Sequence, residues 1–460
     1  MWAECVGPAP AAAVVGCTRL IEAGNLSTEE AARAHEARGE MRGRLGQFPD
    51  AIADFTRALA LDADRPFSYY LRAGVYMQTR EFEKAVADLK RASELEPDNP
   101  SHPRGLASAL TATGDFEGAI AAADRAIDLA PDWPLGFAQR GVAKAAARDP
   151  KGALEDLDRA ITMDPRAVTF FVDRGRVKSD LGDYFGAIQD FERAMAIAPT
   201  RGFGVADLGL VKMRMRNYAG AVADFEKVLA LSPRNYAVMA ALSDARAFSG
   251  DLEGALRECA AERLKTAAFA PLYRTCAGHL GRAGRTDDAL AAYAKAIEIE
   301  PKNAGNYHSR GIFKSDRQDF AGALADLRSA LALDGSRDYT HVRIFLLEAR
   351  LGNRAAATIA LRDTIIRRTA ANADPWVMKI AAFLAGTMTE QALLDAADHD
   401  VPIKAGDRRC EAYFYSGWMH LVDGDVAGAR TRFEQSLATE AIMMLEYRSA
   451  AAELEVLRKK

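Results

Sequence analysis

The sequence repeats itself every 34 residues, and this period constrains the fold more than any other feature. Ten alanines, the framed alanines, share one frame: Ala51, Ala85, Ala119, Ala153, Ala187, Ala221, Ala255, Ala289, Ala323 and Ala357. A fixed period of this length is the signature of a repeat protein, in which each copy packs only on its neighbours. The 460 residues are therefore not expected to form the roughly three globular domains that length alone suggests.

Each copy has the pattern of two helices. After each framed alanine, apolar residues recur at i, i+4, i+7 and i+8, the spacing of one helix face. A small residue stands twelve positions earlier in most copies and is assigned to a first helix: Gly39, Ala73, Ala107, Gly141, Gly175, Gly209, Ser243, Ala277 and Gly311. Two small residues face to face let the helices approach closely. Turns such as Thr113-Gly114-Asp115 predict a left-handed Gly that ends one helix and an Asp that begins the next.

Five copies also share a charged pattern. Arg stands directly before the small position, and Asp stands sixteen residues later: Arg38 with Asp54, Arg72 with Asp88, Arg140 with Asp156, Arg174 with Asp190, and Arg310 with Asp326. Among the other five of the first ten copies only one has Asp there, Asp224 opposite Leu208. A partly buried Arg that lost its carboxylate would be costly, so the two residues should occur together. We predict a structural ion pair between the two helices of one copy.

Composition and motifs argue against several functions. The 60 Lys and Arg against 64 Asp and Glu give a net charge of −4, which lacks the basic excess of a general nucleic-acid binder. The longest uncharged stretch, Val6–Thr18, is too short to span a bilayer. Neither a phosphate-binding loop nor a zinc-protease or serine-hydrolase motif occurs, and the seven histidines are dispersed. We expect no enzyme activity, no cofactor and no metal.

Prolines that end the second helix recur in the same frame: Pro97, Pro131, Pro165, Pro199, Pro233 and Pro301. Together with the period, the small residues and the Gly-Asp turns, they resemble tetratricopeptide repeats. The resemblance covers ten copies over 32–371, after an N-terminal segment and half-repeat at 1–31 and before two divergent repeats and a capping helix at 372–460. A capping box at Ser27 and Glu30 opens the first copy. The resemblance implies an all-α fold, a right-handed α-solenoid of about twelve helix pairs.

The same resemblance implies a concave groove lined by the first helices. By the family pattern its candidate peptide-binding residues are Phe67, Tyr70, Met77, Arg176, Phe203, Leu210, Met213 and Arg214. Aromatic and Met side chains suit an extended or helical peptide, although they equally suit packing against neighbouring repeats. The Lys, Asn and Arg set with which chaperone-binding repeats hold two carboxylates is not present at these positions.

Basic residues and cysteines each leave two interpretations. An excess of Arg in copies nine and ten forms either an anion-binding patch or a solvated helix face, with these candidates: Arg343, Arg350, Arg354 and Arg367. Cys5 with Cys17, and Cys259 with Cys276, are either buried thiols or disulfides. Disulfides would imply an oxidising compartment.

The C-terminal stretch from Phe383 to Tyr447 resembles the closing segment of NlpI-type bacterial lipoproteins. Those are periplasmic adaptors that dock envelope enzymes and often dimerise, so the resemblance implies a periplasmic protein and a homodimer. A chain complete as written carries no signal peptide and would be cytoplasmic. The leading prediction is a non-enzymatic scaffold for a protein or peptide partner. The alternatives are a glycan- or anion-binding module and a self-assembling structural protein.

Overall fold

The fold is an all-α solenoid, as predicted. The computed structural model describes residues 2–199, 202, 204–260, 264, 267–370, 373–398, 402–442 and 444–459. Every regular element in these ranges is helical, and the helices number 27. They form two compact halves, an N-terminal half of Met1–Asp207 and a C-terminal half of Leu208–Lys460. The right-handed sense of the solenoid and the predicted division at 31 and 371 stay predictions.

Twelve helices lie within the N-terminal half: α1 (Trp2–Cys5), α2 (Pro10–Glu22), α3 (Thr28–Arg44), α4 (Phe48–Leu61), α5 (Pro66–Thr79), α6 (Phe82–Leu95), α7 (Ser101–Thr113), α8 (Phe116–Leu129), α9 (Pro134–Ala146), α10 (Pro150–Met163), α11 (Val168–Asp180) and α12 (Tyr184–Ile197). Helix α13 (Val205–Arg214) follows. The C-terminal half continues with these helices: α14 (Tyr218–Leu231), α15 (Tyr236–Phe248), α16 (Leu252–Glu258), α17 (Ala270–Arg282), α18 (Thr286–Ile299), α19 (Ala304–Asp316), α20 (Phe320–Leu333), α21 (Asp338–Arg350), α22 (Arg354–Ala370), α23 (Pro375–Leu384), α24 (Glu390–Asp398), α25 (Pro402–Val422), α26 (Val426–Ala438) and α27 (Leu445–Arg458).

Helices pack in the pairs that the repeat predicts. Odd-numbered helices from α3 to α21 are first helices, and each contacts the second helix that follows it across a short turn, α13 through the ion pair of Lys212 with Asp224. Successive first helices also contact one another, as α7 does α9 and α15 does α17. The first helices of a half therefore share one face, called here the first-helix face. The framed alanines are fully buried between the helices, and only Ala357 retains 2% exposure.

The predicted close approach is present, and it brings a large side chain against the small one. A Cβ atom added to Gly175 would lie 2.7 Å from Phe191 Cε1. One added to Gly141 would lie 2.9 Å from Leu157 Cγ. Carbon atoms in contact are normally about 3.5–4.0 Å apart. The small residue therefore makes room for the residue four positions after the framed alanine, besides the alanine itself.

The predicted helix ends are confirmed. Gly114 and Gly182 have φ of 86° and 83°, a left-handed conformation that favours glycine. The carboxylate of Asp115 accepts a hydrogen bond from the Gly118 amide at 2.9 Å and so caps α8. Ser27 and Glu30 form the predicted capping box at the start of α3.

Both cysteine pairs are disulfides in the structure. Cys5–Cys17 joins α1 to α2, and Cys259–Cys276 joins the end of α16 to α17. The fifth cysteine, Cys410, is a buried thiol. Each bridge therefore ties an element to its neighbour in sequence.

Candidate interaction surfaces

A buried carboxylate lies between the two helices of many copies. In each of the five predicted pairs the Arg guanidinium contacts its Asp at an N–O distance of 2.5–2.7 Å. The five Asp residues are 3–6% exposed. Because a buried charge is tolerated only when it is paired and hydrogen-bonded, these Arg residues are committed to the fold.

A second cation completes most of these sites, and the sequence analysis missed it. It stands one helical turn after the Arg of the pair. In the copy of Arg140 this second cation is Lys144, which lies 2.7 Å from Asp156. The equivalent residues of three other copies bind the same carboxylates as their Arg partners: Arg42, Lys178 and Lys314. Lys212 binds Asp224 at 2.5 Å, which explains why Asp224 needs no Arg at position 208. A basic residue twelve positions before each acidic one was the available signal.

Two Arg residues also connect consecutive repeats. Arg140 bonds Asp156 of its own copy and, through Nη1 at 2.7 Å, Asp124 of the preceding copy. Arg174 contacts Asp158 of the preceding copy at 2.6 Å in the same way. These guanidinium groups hold three helices each, so they stabilise the stack of helices and are not free to bind a partner.

Hydrogen bonds from several cations lower the pKa of two of the buried carboxylates, Asp54 and Asp156. Burial alone would raise the pKa of Asp156, but hydrogen bonds from Arg140 and Lys144 outweigh burial and hold the pKa below its usual value. Burial would likewise raise the pKa of Asp54, but hydrogen bonds from His35 and Arg38 help to hold that pKa below its usual value. Both carboxylates are therefore charged at neutral pH.

On the N-terminal half, an aromatic row crosses the first-helix face. Phe67 on α5 is 50% exposed, while Tyr70 and Met77 are half-buried. The Arg104 guanidinium donates to the Tyr70 hydroxyl at 3.2 Å and lies 5.6 Å from the Trp133 ring centre. This row offers apolar and cation–π contacts to a segment that lies across the helices.

The other predicted groove residues have separate environments. Arg176 binds Asp207 at 2.8 Å. Leu210 is 49% exposed, whereas Met213 is buried at 6% exposure. The prediction for Met213 is therefore wrong, because a side chain this buried is not presented to a partner. Arg214 is exposed, and Phe203 lies outside the described residues.

The predicted anion patch is not an exposed set of free arginines. Arg343 is 4% exposed and binds Glu446 at 2.7 Å. Arg350 lies 4.0 Å from Glu453, and Arg354 is bound to Asp423. Arg367 stays exposed. The prediction is wrong for Arg343 and Arg350, which are 4% and 16% exposed beside carboxylates of α27. It stays a prediction for the exposed Arg354 and Arg367.

The C-terminal helix α27 occupies part of the first-helix face of its half. It packs on the first helix α19 and on α25 and α26. Its Glu446 accepts hydrogen bonds from Arg343 of α21 and, at 3.3 Å, from the Tyr415 hydroxyl. The Arg343 guanidinium lies 4.4 Å from the Phe414 ring centre. The closing helix predicted near Glu446–Arg458 is thus held on its own repeats by a buried ion pair.

A second carboxylate, Glu411, lies close to this ion pair. It accepts hydrogen bonds from the Tyr339 hydroxyl at 3.0 Å and from the Trp376 indole at 2.5 Å. Burial, and then the nearby charge of Glu446, raises the pKa of Glu411 to about 8. No sequence motif marked this residue, because its neighbours come from three different helices.

A cavity of about 690 Å³ lies between α27 and the first helices α15, α17 and α19. Its charged lining includes Asp244, Arg274, Arg282, Asp316 and Arg448. Two histidines line it as well. His279 Nε2 lies 3.0 Å from Asp244 Oδ1, and His308 Nδ1 lies 2.9 Å from the Thr340 hydroxyl. The sequence analysis had not connected these residues.

The repeat identity follows from sequence comparison. A tetratricopeptide-repeat sequence profile matches residues 70–134, 139–201 and 206–271. The chain contains tetratricopeptide repeats. Its fold is similar to that of a tetratricopeptide-repeat protein from Parabacteroides merdae, at 17% identity over 51% of this chain and 93% of that chain, with a TM-score of 0.40.

Two further solved tetratricopeptide-repeat proteins are similar. A thermophilic protein of Thermus thermophilus shares 19% identity over 37% of this chain and 93% of that chain, with a TM-score of 0.35. YrrB, which has an unusual peptide-binding site, shares 20% identity over 41% of this chain and 95% of that chain, with a TM-score of 0.31.

The described tetratricopeptide repeats hold no arrangement of three or more His, Cys, Asp and Glu side chains suited to a metal ion. In the same ranges, no helix is both long enough and apolar enough to cross a bilayer. The candidate contact surfaces described above are the aromatic row on the N-terminal half and the charged cavity beside α27 on the C-terminal half.

Proposed function

We propose that this chain is a non-enzymatic scaffold that binds a peptide or protein segment on its first-helix faces. Tetratricopeptide repeats are generally protein-interaction modules, and the proposal extends that role to these surfaces. The observation that carries it is α27, a helix that packs on first helix α19 and is anchored by the buried pair of Glu446 and Arg343. A face that accepts a helix of its own chain has the shape and anchoring groups for a helical segment of another.

The first-helix face of the N-terminal half carries an exposed aromatic side chain. Phe67 is half exposed, and Tyr70 continues toward Arg104 and Trp133. Aromatic and Arg side chains are the residues that most often dominate binding energy at protein interfaces. We assign the primary contact to this row, with Phe67 as its exposed anchor.

Site-specific photo-crosslinking tests this assignment with a matched control. A photoreactive phenylalanine is placed at Phe67, or at Phe185 on the second helix α12, which is 74% exposed. Both are exposed phenylalanines of one half, and only Phe67 belongs to the first-helix face. Crosslinking in the native cell should give a partner band from position 67 alone. Equal bands from both positions, or no band from position 67, would refute the proposal.

An extracytoplasmic location, in the bacterial envelope, is part of the proposal. It is supported by the two disulfides, since structural disulfides persist in oxidising compartments. Rapid alkylation of the protein taken from its native cells, under denaturing conditions, should label only Cys410. Labelling of all five cysteines would contradict an oxidising location.

A homodimer remains the prediction for the oligomeric state. Light scattering coupled to size-exclusion chromatography measures the mass directly. A mass of one chain, 49.8 kDa, across the accessible concentration range would exclude a stable dimer.

A further inference from the structure

We infer that the cavity beside α27 binds an acidic peptide segment, with Arg274, Arg282 and Arg448 as its carboxylate-binding groups. The inference rests on the proposed function, because it names the chemistry of the segment that the C-terminal half accepts. It concerns the cavity alone and does not involve the aromatic row of the N-terminal half.

The three cations surround a position that has no side chain. Arg274, Gly278 and Arg282 are spaced four residues apart on α17 and so follow one face of the helix. At 1.5 Å of rise per residue, the two Arg residues start about 12 Å apart. Arg448 reaches over from α27, and its Nη1 lies 3.9 Å from the place where a Cβ of Gly278 would stand. The glycine thus gives Arg448 access to the gap between the two α17 arginines.

These cations lack the partners that other arginines of the chain have. Among the described residues, no carboxylate oxygen lies within 4.0 Å of Arg274, Arg282 or Arg448, whereas each Arg of the five inter-helix pairs contacts an Asp. Among the side chains of the described residues, Arg274 donates a hydrogen bond to the amide oxygen of Asn306 at 3.0 Å.

The two acidic side chains of the cavity form no ion pair with these three cations among the described residues, but the charge of Asp244 acts on Arg282 and that of Asp316 on Arg448. Asp244 lies against His279. Burial raises the pKa of Asp316 to about 6, against the nearby positive charges of Arg343, Arg448 and Arg317. Burial, followed by repulsion from Arg448, lowers the pKa of Arg282. Arg282 and Arg448 therefore repel each other, and a bound anion would reduce this repulsion.

The dimensions and walls favour a peptide over a small ion. A cavity of about 690 Å³ accommodates several side chains. Two carboxylates that meet Arg274 and Arg282 would be about 12 Å apart, which corresponds to three or four residues of extended chain at about 3.3 Å each. Arg binds carboxylates through two parallel hydrogen bonds. Tyr293, Phe313 and Tyr447 line the remaining wall and suit the aliphatic parts of a segment.

The test uses the full chain and a fluorescein-labelled peptide, Glu-Gly-Gly-Glu-Gly-Gly-Glu, with its Gln counterpart as the neutral control. Fluorescence anisotropy measures binding to the wild type, Arg282→Gln, Arg448→Gln and Arg285→Gln. Arg285 is the matched control, because it is exposed, pairs with Asp288 and does not line the cavity. We expect the Glu peptide to bind, with about tenfold weaker affinity in each of the first two variants, because a charge-assisted hydrogen bond contributes that much. Arg285→Gln should bind as the wild type does.

Several results would overturn the inference. They are absence of Glu-peptide binding, equal binding of the Gln peptide, or wild-type affinity in both cavity variants. If a phosphoserine version of the peptide binds more tightly, with the same dependence on Arg282 and Arg448, the ligand is a phosphorylated segment and the assignment of an acidic one is wrong. None of these results affects the crosslinking test at Phe67, so the two proposals fail separately.

A thermal measurement gives an independent readout. Because Arg448 repels Arg282, removing either cation should raise the Tm of the free Arg282→Gln and Arg448→Gln proteins, while the Glu peptide should raise the Tm of the wild type more than that of either variant. A lower Tm in both free variants would show that these cations stabilise the fold, and would overturn the inference.

Discussion

Gly175 provides the sharpest test of how the helices pack. The change Gly175→Ala adds a Cβ atom 2.7 Å from Phe191 Cε1, so the ring must move by nearly an ångström to restore ordinary contact. Phe191 is 1% exposed and has little room to move. Overpacking of this kind costs about 1–3 kcal/mol. The same change also replaces a glycine inside a helix by alanine, and the higher helix propensity of alanine stabilises the protein by about 1 kcal/mol.

Gly74→Ala is the matched control. Gly74 is also inside a first helix, α5, and nothing lies within 4 Å of an added Cβ. It should stabilise by about 1 kcal/mol from helix propensity alone. The difference between the two variants cancels propensity and isolates the steric term, so we expect Gly175→Ala to be less stable by about 1–3 kcal/mol.

Urea unfolding followed by circular dichroism measures the global difference. Because repeat arrays can unfold in parts, hydrogen exchange of the α11 and α12 amides supplies the local free energy. The double variant Gly175→Ala with Phe191→Leu copies the natural pair of Ala73 and Leu89, and should recover part of the loss. Equal stability of the two single variants would refute the close approach of these helices.

Three further predictions concern the buried charges. Asp156→Asn should lower the free energy of unfolding by about 1.5–3 kcal/mol, against less than about 1 kcal/mol for the exposed control Asp158→Asn. Because folding lowers the Asp156 pKa, the wild type should lose this advantage in urea titrations as the pH falls below about 4. A stability difference between wild type and Asp156→Asn that stays constant down to pH 2 would contradict the assignment. The Glu411 pKa is raised to about 8, so its contribution to stability is lost as pH rises from about 4 through 8; Glu411→Gln should flatten that decline, and an unchanged slope would be contrary evidence. Glu446→Gln removes the hydrogen-bonded carboxylate of the buried Arg343 and should cost about 3–5 kcal/mol, with faster hydrogen exchange throughout α27. Glu455→Gln on the same helix, an exposed member of a pair with Lys459, should leave exchange unchanged.

Local chemistry was readable from the sequence because the repeat displays it many times. The framed alanines, the capping carboxylates and the turn glycines each recur at one spacing, so a single interpretation applies to every copy. Asp224 shows the limit of this reasoning. It stood as an exception to the Arg pattern until the structure placed Lys212 beside it, one helical turn from the expected position.

The C-terminal site was not readable in this way. Arg343 and Glu446 are separated by 103 residues, and no period relates them. The predicted anion patch failed at Arg343 for the same reason, since charge counted along one helix does not reveal a carboxylate that arrives from a distant helix. Gly278 likewise carried no signal of its own, because its importance depends on Arg448 of α27.

The shared guanidinium of Arg140 has a consequence for how such a chain changes length. Arg140 joins Asp156 to Asp124, and Arg174 reaches Asp158 in the same relation, each step displaced by one period. Excision of 34 residues between these copies would bring Arg174 opposite Asp124, and a tandem duplication would create one more identical junction. Whole copies can therefore be gained or lost without any substitution at the new junction between repeats. The number of repeats in this half of the protein can change readily during evolution.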